Sequence, residues 1–298
     1  MPETQVALER YPARVAQMTE ADPIDLALRE DIGAGDLTTG LLVPAESRAQ
    51  ARILSREKAI IAGTMTAAEV FRRVDPALKV LVELTDGTAV LGGETILKIQ
   101  GAARSILTAE RVALNFLQRL SGIATLTHEY VEAVGKNSAK IMDTRKTTPG
   151  LRALEKAAVV AGGGTNHRFG LFDAILIKDN HLAAEQDLKK LAAAIRQARA
   201  QNPEIKIEVE ADNLEQVRAL MQMDGVDVIL LDNMETAEMR EAIALGRKQG
   251  VKFEASGGIN LKTVRRIAAT GVDYISVGAL THSPRAIDIS LELTHVGS

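Results

Sequence analysis

The chain has no cysteine and no tryptophan, and its aromatic residues are limited to five Phe and three Tyr among 298 residues. Without cysteine there is no disulfide and no thiolate-held zinc or iron–sulfur site, and a reducing, cytoplasmic address is permitted. An aromatic content of 3% is too sparse for the stacking platforms that hold single-stranded nucleic acid. Neither sign of charge is in large excess: 36 Lys and Arg against 39 Asp and Glu leave a formal charge of -3. Such a chain has no general attraction for DNA or an anionic membrane surface, so an anion must be held by a local cluster. No apolar run approaches the ~20 residues of a membrane span. The opening stretch MPETQVALERYPARVAQM carries charges throughout and does not read as a secretory signal. What is present is ordinary for a globule, 46% hydrophobic and 25% charged, in a chain long enough to bury a core without metal or disulfide staples.

From about residue 135 onward, short β-branched runs ending in polar residues alternate with stretches of helical period. The runs are AKIMDTRK (139–146), DAILIKDN (173–180), IKIEVE (205–210), DVILLDN (227–233), VKFEASGG (251–258) and DYISVGAL (273–280). Between them LEQVRALMQM and LKTVRRIAATG space their apolar residues helically, with Asp212 or Asn213 and Asn260 as N-caps. Pro149 suits the first position of a further helix, and Gly162–Gly164 its end. Repeated βα units at intervals of roughly 20–35 residues imply parallel strands with right-handed crossovers. Every run carries its polar residues at its C-terminal end, which favours a barrel over a doubly wound sheet, where the ligand collects at one switch point. Six runs are fewer than the usual eight, so the barrel is expected to be open or incomplete. The earlier part differs: KVLVEL, TAVL and TILKIQG, with DG and GG between them, read as antiparallel strands, and PIDLALRED and TAERVALNFLQRL as helices. These predict a domain over 1–115, joined by the alternating tail 284–298, and a barrel domain over 116–283.

The strand ends carry the chemistry. Asp143, Arg145 and Lys146 end the first run, and Lys178, Asp179, Asn180 and His181 the second. Glu208 and Glu210 lie on the third, Asp232 and Asn233 on the fourth, Glu254 and Ser256–Gly258 on the fifth, and Gly278 on the last. NHRFG adds His167 and Arg168 in the loop before the second strand. A single loop cation is more often solvated than functional. Here Arg145, Lys146, His167, Arg168 and Lys178 all fall at one end of successive strands, a pattern that suits a polyanion. Guanidinium forks match carboxylates, and ammonium groups serve phosphate as point charges. Glu208 and Glu210 share a face, and with Asp232 they would repel that ligand unless they hold hydroxyls or a hard cation, so ribose diols and Mg²⁺ are the natural partners of Glu210 and Asp232. The Gly pair of EASGGIN, before a helix capped at Asn260, reads as a phosphate cradle.

These residues resemble one family. ILTAERVALNFLQRLSGIAT, DTRKTTPGLRALEKAAVVAGGGTNHRFGLFDAILIKDNH, EVE, ILLDN, EASGGIN and EDIGAGDLTT together are similar to quinolinate phosphoribosyltransferase, the nicotinate-nucleotide pyrophosphorylase (carboxylating) of NAD biosynthesis. The resemblance implies an N-terminal α/β sandwich domain and an open, incomplete α/β barrel. It implies a homodimer with a shared active site, alone or stacked into a hexamer. Its small-molecule substrates would be quinolinate and 5-phosphoribosyl-1-pyrophosphate, with Mg²⁺. Carried over by motif, quinolinate would be held by Arg145, His167, Arg168 and Lys178, with Arg111 entering from the partner subunit. Lys146, Glu210 and Asp232 would be catalytic on the phosphoribosyl donor, the two acids holding Mg²⁺ directly or through water. Ser256, Gly257, Gly258 and Gly278 would take phosphate, with Glu208 the alternative to Glu210 at the ribose and His282 a further phosphate contact.

Other readings stay open at this stage: a relative with the same barrel and another acceptor, a Schiff-base aldolase with Lys178 as nucleophile, and a sensor of phosphorylated ligands. The adjacent cations separate the first reading from a general cationic patch. Arg145→Ala is expected to weaken quinolinate binding more than donor binding, and Lys146→Ala the reverse. Titrating each ligand separately decides this, and equal losses for both ligands in either variant contradict the assignment.

Overall fold

In a computed structural model of the chain, residues 22–178, 180–181, 188–246 and 249–296 are described. The expected Asp179 and the charged opening stretch lie outside them. Contacts divide the chain into two compact units. The first comprises the chain up to Ala124, Thr148–Ala161 and the segment from Arg285 onward; the second comprises Thr125–Thr147 and Gly162–Pro284. The expected boundary at 115 thus falls inside a helix, Ala103–Val134, whose 32 residues run without proline. The segment 148–161 lies with the first unit, although its sequence neighbours on both sides lie with the second.

The first unit begins with α1 (Pro23–Ile32), which Asp22 caps by accepting the Ile24 N–H while Pro23 takes the first turn. Asp36 caps α2 (Leu37–Leu42) in the same way through Thr39 N. Then follow β1 (Arg48–Ser55), β2 (Ala59–Ile60), α3 (Thr64–Val74), β3 (Lys79–Val82), β4 (Ala89–Val90), β5 (Thr95–Ala102) and α4 (Ala103–Val134). The final strand of the chain, β12 (Ile289–Val296), joins a four-stranded sheet in the order β12-β1-β5-β3, every pair antiparallel. The tail therefore does return to this unit. β1 alternates exposed and buried residues until its last turn inward, and it buries Ala49, Ala51, Ile53 and Leu54. Each fully buried Ile or Leu contributes about 1.5–3 kcal/mol, enough for one-sided strands to define the core. α3 covers the sheet with Ala67, Ala68, Val70 and Phe71, all fully buried.

The second unit holds β6 (Lys140–Met142), β7 (Ile175–Ile177), α6 (Leu188–Gln201), β8 (Ile207–Ala211), α7 (Leu214–Leu220), β9 (Val228–Asp232), α8 (Thr236–Gly246), β10 (Lys252–Ser256), α9 (Val264–Ala268), β11 (Tyr274–Ser276) and α10 (Ala279–His282), with α5 (Arg152–Ala161) of the first unit falling between β6 and β7 in sequence. Its six strands run in the order β6-β11-β10-β9-β8-β7, every adjacent pair parallel. That order is the chain order closed into a ring, with one link, β6 to β7, left unpaired. Among the described residues the sheet is thus the open six-stranded barrel expected. All five residues of β8 are buried, including both glutamates, so the strand is covered on two faces and its acids point into the barrel.

Local chemistry sets the ends, not always as expected. Asn213, not Asp212, caps α7, accepting from Gln216 N at 3.0 Å. Pro149 and Gly150 form a turn closed by Leu151 N to Thr148 O at 3.0 Å, and α5 begins three residues after the proline. Asn260 closes a turn through its carbonyl, and α9 starts only at Val264. Within α4, Gly122 admits the backbone of the returning tail: a Cβ there would stand 2.1 Å from the Arg285 carbonyl oxygen. Gly122→Ala is expected to destabilise the protein by about 1–3 kcal/mol despite alanine's better helix propensity, since overpacking against backbone outweighs it. Urea denaturation measures this; an unchanged or raised midpoint would show that the tail does not pack there.

Candidate active site

All six strands of the second unit end at one rim, and the residues singled out from the sequence follow or terminate them. Asp143, directly after β6 and fully buried, accepts the His167 N–H at 2.8 Å. Together with the bridge between Met142 and Thr165, this ties the loop before β7 to the end of β6. Arg168 is thereby held beside Arg145: burial first, and then the Arg145 charge, lower its guanidinium below the ordinary arginine range. Arg168 Nη1 also donates to Ala174 O at 3.2 Å, just ahead of β7. Lys178 follows β7 and is exposed, its backbone N–H donating to His181 Nδ1 at 2.9 Å. Arg111 is exposed on α4 and belongs to the first unit.

Beneath this cationic rim the barrel interior is acidic. His167 Nε2 lies 3.2 Å from Glu208 Oε2 and 3.6 Å from Glu254 Oε2. The ring's other nitrogen, Nδ1, accepts the Arg168 N–H at 2.7 Å, so the ring proton sits on Nε2 and faces the carboxylates. Glu254 is 0% exposed, and burial followed by the Glu208 charge raises its carboxyl well above the usual range. Burial alone would raise Glu208 too, but the hydrogen bond from His167 and neighbouring positive charge outweigh it and lower this carboxyl. Lys206 supplies part of that charge, its Nζ 3.8 Å from Glu208 Oε2 and 5.1 Å from the centre of the Tyr274 ring.

On the other side of the rim Glu210, Asp212 and Asp232 bring carboxylate oxygens within 4.8 Å of one another. Glu210 is buried, Asp232 half-buried and Asp212 exposed. Oxygen-only donors open to solvent suit a hard divalent ion such as Mg²⁺, or a sugar diol, rather than zinc. The structure thus separates the two glutamates of β8, Glu208 lying deep with His167 and Glu210 with the rim acids. Asp232 is oriented by Asn233, whose Nδ2 donates to its Oδ2 at 2.7 Å. Asn233 is the one non-glycine with positive φ (52°) among the described residues, and its N–H donates to Ser256 O at 3.0 Å. Gly257 (φ 91°) leaves room for this asparagine, since a Cβ there would stand 2.1 Å from Asn233 Oδ1. Gly258 (φ 61°) continues the turn. The Ser256–Gly258 turn does not open a helix, because the five-residue α9 starts only at Val264; any phosphate there would meet loop N–H groups and not a helix terminus. Lys146 is exposed, and its chain crosses Gly278, where a Cβ would approach Lys146 Cδ to 3.1 Å and His282 Cδ2 to 3.2 Å. Thr281 Oγ1 donates to Lys146 O at 2.8 Å, fixing the backbone beneath that cation.

Sequence reasoning missed Asp212 as a partner of the rim acids and read it only as a cap. Its signal was there, since it stands two residues beyond Glu210 in EVEAD. Glu254 was recognised as a strand residue without a role, and only the fold brings it to Glu208.

The chain matches the Quinolinate phosphoribosyl transferase N-terminal domain over residues 36–121 and the C-terminal domain of the same family over residues 123–292. A relative from Mycobacterium leprae, nicotinate-nucleotide pyrophosphorylase [carboxylating], is 46% identical over 91% of this chain and 96% of its own length. Quinolinate phosphoribosyltransferase [decarboxylating] 2, mitochondrial, of Nicotiana glauca is 44% identical over 91% of this chain and 81% of its own. The crystal structure of NadC from Streptococcus pyogenes superposes with a TM-score of 0.86 at 40% identity, covering 94% of this chain and 100% of that one. With both family domains matched in order, and the open barrel carrying its acids and cations on one rim, the chain belongs to the quinolinate phosphoribosyltransferase family.

Proposed function

We infer that this chain transfers the phosphoribosyl group of 5-phosphoribosyl-1-pyrophosphate to quinolinate with decarboxylation, giving nicotinate mononucleotide, pyrophosphate and CO2 for NAD biosynthesis. The observation that carries the reading is the pairing of Arg145 and Arg168 at the rim. Two partly buried guanidiniums side by side, the Arg145 charge disfavouring that of Arg168, are stabilised by an anion placed between them, and the retained carboxylate of a pyridine dicarboxylate suits both forks at once. Lys178, at the same end of the sheet, adds a third cation. Arg111 completes the pocket from the partner subunit of a homodimer; its exposure on α4, in the unit that does not hold the other site residues, supports that role. Membership of this family leaves the Schiff-base and sensor readings without support.

The donor lies across the rim. Glu210 and Asp232 hold the ribose hydroxyls and Mg²⁺, Ser256–Gly258 and Gly278 take phosphate, and Lys146 faces the pyrophosphate, with His282 beside it across Gly278. Mg²⁺ supplies charge neutralisation for the departing pyrophosphate. The pyridine nitrogen forms its bond to C1 of the ribose as the C1–O bond to pyrophosphate breaks, and the rim carboxylates stabilise the oxocarbenium character of that transition state. The nitrogen is then quaternary, and its positive charge stabilises the electron pair that stays on C2 when the 2-carboxylate leaves as CO2, after which C2 takes up a proton. Cations that grip the 2-carboxylate tightly would oppose its loss, so the arginine pair is assigned to the carboxylate that is retained. The location inferred is cytoplasmic; no helix of the described residues is long and apolar enough to cross a membrane.

The deciding assay mixes purified protein, Mg²⁺, the phosphoribosyl donor and quinolinate. Nicotinate mononucleotide and CO2 are expected in equal amounts, with nicotinate a much poorer acceptor; equal use of nicotinate would overturn the assignment of quinolinate as the acceptor. Asp212→Asn is expected to raise the Mg²⁺ concentration needed for half-maximal rate by about 3- to 10-fold without altering quinolinate affinity, because one hard oxygen charge is lost from the rim. A Mg²⁺ titration unchanged by this substitution would remove Asp212 from the site.

A further inference from the structure

His167 arrives from sequence comparison as an acceptor-binding residue, yet its surroundings give it another task. Its ring is 9% exposed, and both ring nitrogens are turned toward protein atoms: Nδ1 accepts from Arg168 N at 2.7 Å, and Nε2 stands 3.2 Å from Glu208 Oε2. Its backbone N–H is held separately by Asp143 at 2.8 Å. The ring therefore braces the backbone of the residue that follows it, and that residue carries one of the two paired guanidiniums. The direction of the brace depends on the tautomer. With the proton on Nδ1 the bond from Arg168 N is impossible, and the peptide between residues 167 and 168 loses its anchor.

Glu254 shapes that tautomer from behind. It is fully buried, its Oε2 lies 3.6 Å from His167 Nε2, and Glu208 is its neighbour. Neither carboxyl oxygen of Glu254, nor Oε1 of Glu208, has a conventional hydrogen-bond partner. A buried acid pair with three unsatisfied oxygens is a poor way to stabilise a barrel core, since apolar residues of similar volume do so at least as well. Among the described residues, other charged or polar groups near the pair include Lys206, 3.8 Å from Glu208 Oε2, Ser276 at the end of β11, beside Glu254, and Arg168, whose charge Glu208 favours. The nearer carboxyl oxygen, Glu208 Oε2 at 3.2 Å, accepts the Nε2 proton, while Glu254 stands further from the ring at 3.6 Å and sets the position of Glu208 from behind. Burial and the neighbouring charge keep Glu254 itself neutral, so the pair stays inside without two full charges.

We propose that Glu254, acting with Glu208, is a positioning residue of the acceptor pocket: the buried pair holds His167 with its proton on Nε2, and His167 in turn fixes the Arg168 backbone and makes no contact with the acceptor itself. This rests on the function inferred above, in which Arg168 grips the quinolinate carboxylate.

The test combines a spectrum with kinetics. In the full-length protein labelled with ¹⁵N-histidine, two-bond proton–nitrogen correlations report the tautomer of each of the five histidines, and His167 is identified by its absence in His167→Asn. His167 is expected as the Nε2–H tautomer in the ligand-free protein. Glu254→Ala is expected to disturb that signal and to raise the KM for quinolinate about tenfold, with the donor KM within about twofold, while Glu254→Gln, a neutral isostere, recovers most of the loss. His167→Asn, whose side-chain oxygen can replace Nδ1 as acceptor, is expected to keep quinolinate affinity several-fold better than His167→Ala. A Nδ1–H or doubly protonated His167 in the wild type overturns the proposal without any variant having to fold. So does a His167→Asn protein as impaired as His167→Ala, or a Glu254→Ala protein whose two KM values rise together. A wild type that makes no nicotinate mononucleotide would instead defeat the function, while the tautomer would still be read.

Discussion

The architecture of this protein turns on keeping like charges together where water alone does not relieve them. Arg145 and Arg168 are partly buried at one rim, and the Arg145 charge disfavours that of Arg168. Deeper in the barrel, burial and then the Glu208 charge oppose ionisation of Glu254. Neither arrangement is what stability alone would select, since repulsion between partly desolvated groups can cost several kcal/mol. The parallel sheet makes it tenable. Its strands are buried on both faces and locked by regular ladders, and the apolar residues facing outward, such as Ile207, Val209 and Ala211, stabilise the same strand whose alternate positions carry the acids.

This division of labour along a strand explains why so much was legible from residue order. A parallel barrel strand must be apolar on its helix-facing side and can change character only at its C-terminal end, so six runs ending in polar residues announced both the fold and the rim. The cations were legible for the same reason, because Arg145, Lys146 and Lys178 sit directly beyond strand ends. Other features depended on distant partners. β1 went unrecognised because Arg48, Gln50 and Arg52 dilute its apolar signal, and its neighbour β12 lies some 240 residues further along the chain. The starts of α5 and α9 were misplaced because Pro149 and Asn260 are equally at home in a turn as in a helix cap, and neighbouring hydrogen bonds chose the turn.

The two glutamates of β8 show the limit most sharply. Period-two alternation puts Glu208 and Glu210 on one face, and nothing in IEVE distinguishes their tasks. Two residues along a strand amount to roughly 7 Å of depth. In a narrow barrel that distance separates an interior where His167, Glu254 and Lys206 lie nearby from a rim where Asp212 and Asp232 gather. Depth, not face, decides which carboxylate can meet a solvated cation or a sugar and which can only act on another side chain.

The same logic applies to His167 and Arg168, adjacent in sequence and opposite in orientation. In an extended loop successive side chains diverge, so one can enter the barrel while the other turns to the rim. Asp143 fixes the first through its backbone, the acids fix its ring, and the ring returns a hydrogen bond to the backbone of the second. A long flexible cation is thereby rooted in a buried network before it reaches the ligand, and the conformational freedom it would otherwise lose on binding is reduced in advance. On the function proposed, carboxyl groups that would be wasteful in an ordinary core become intelligible as the foundation of a pocket for an anion.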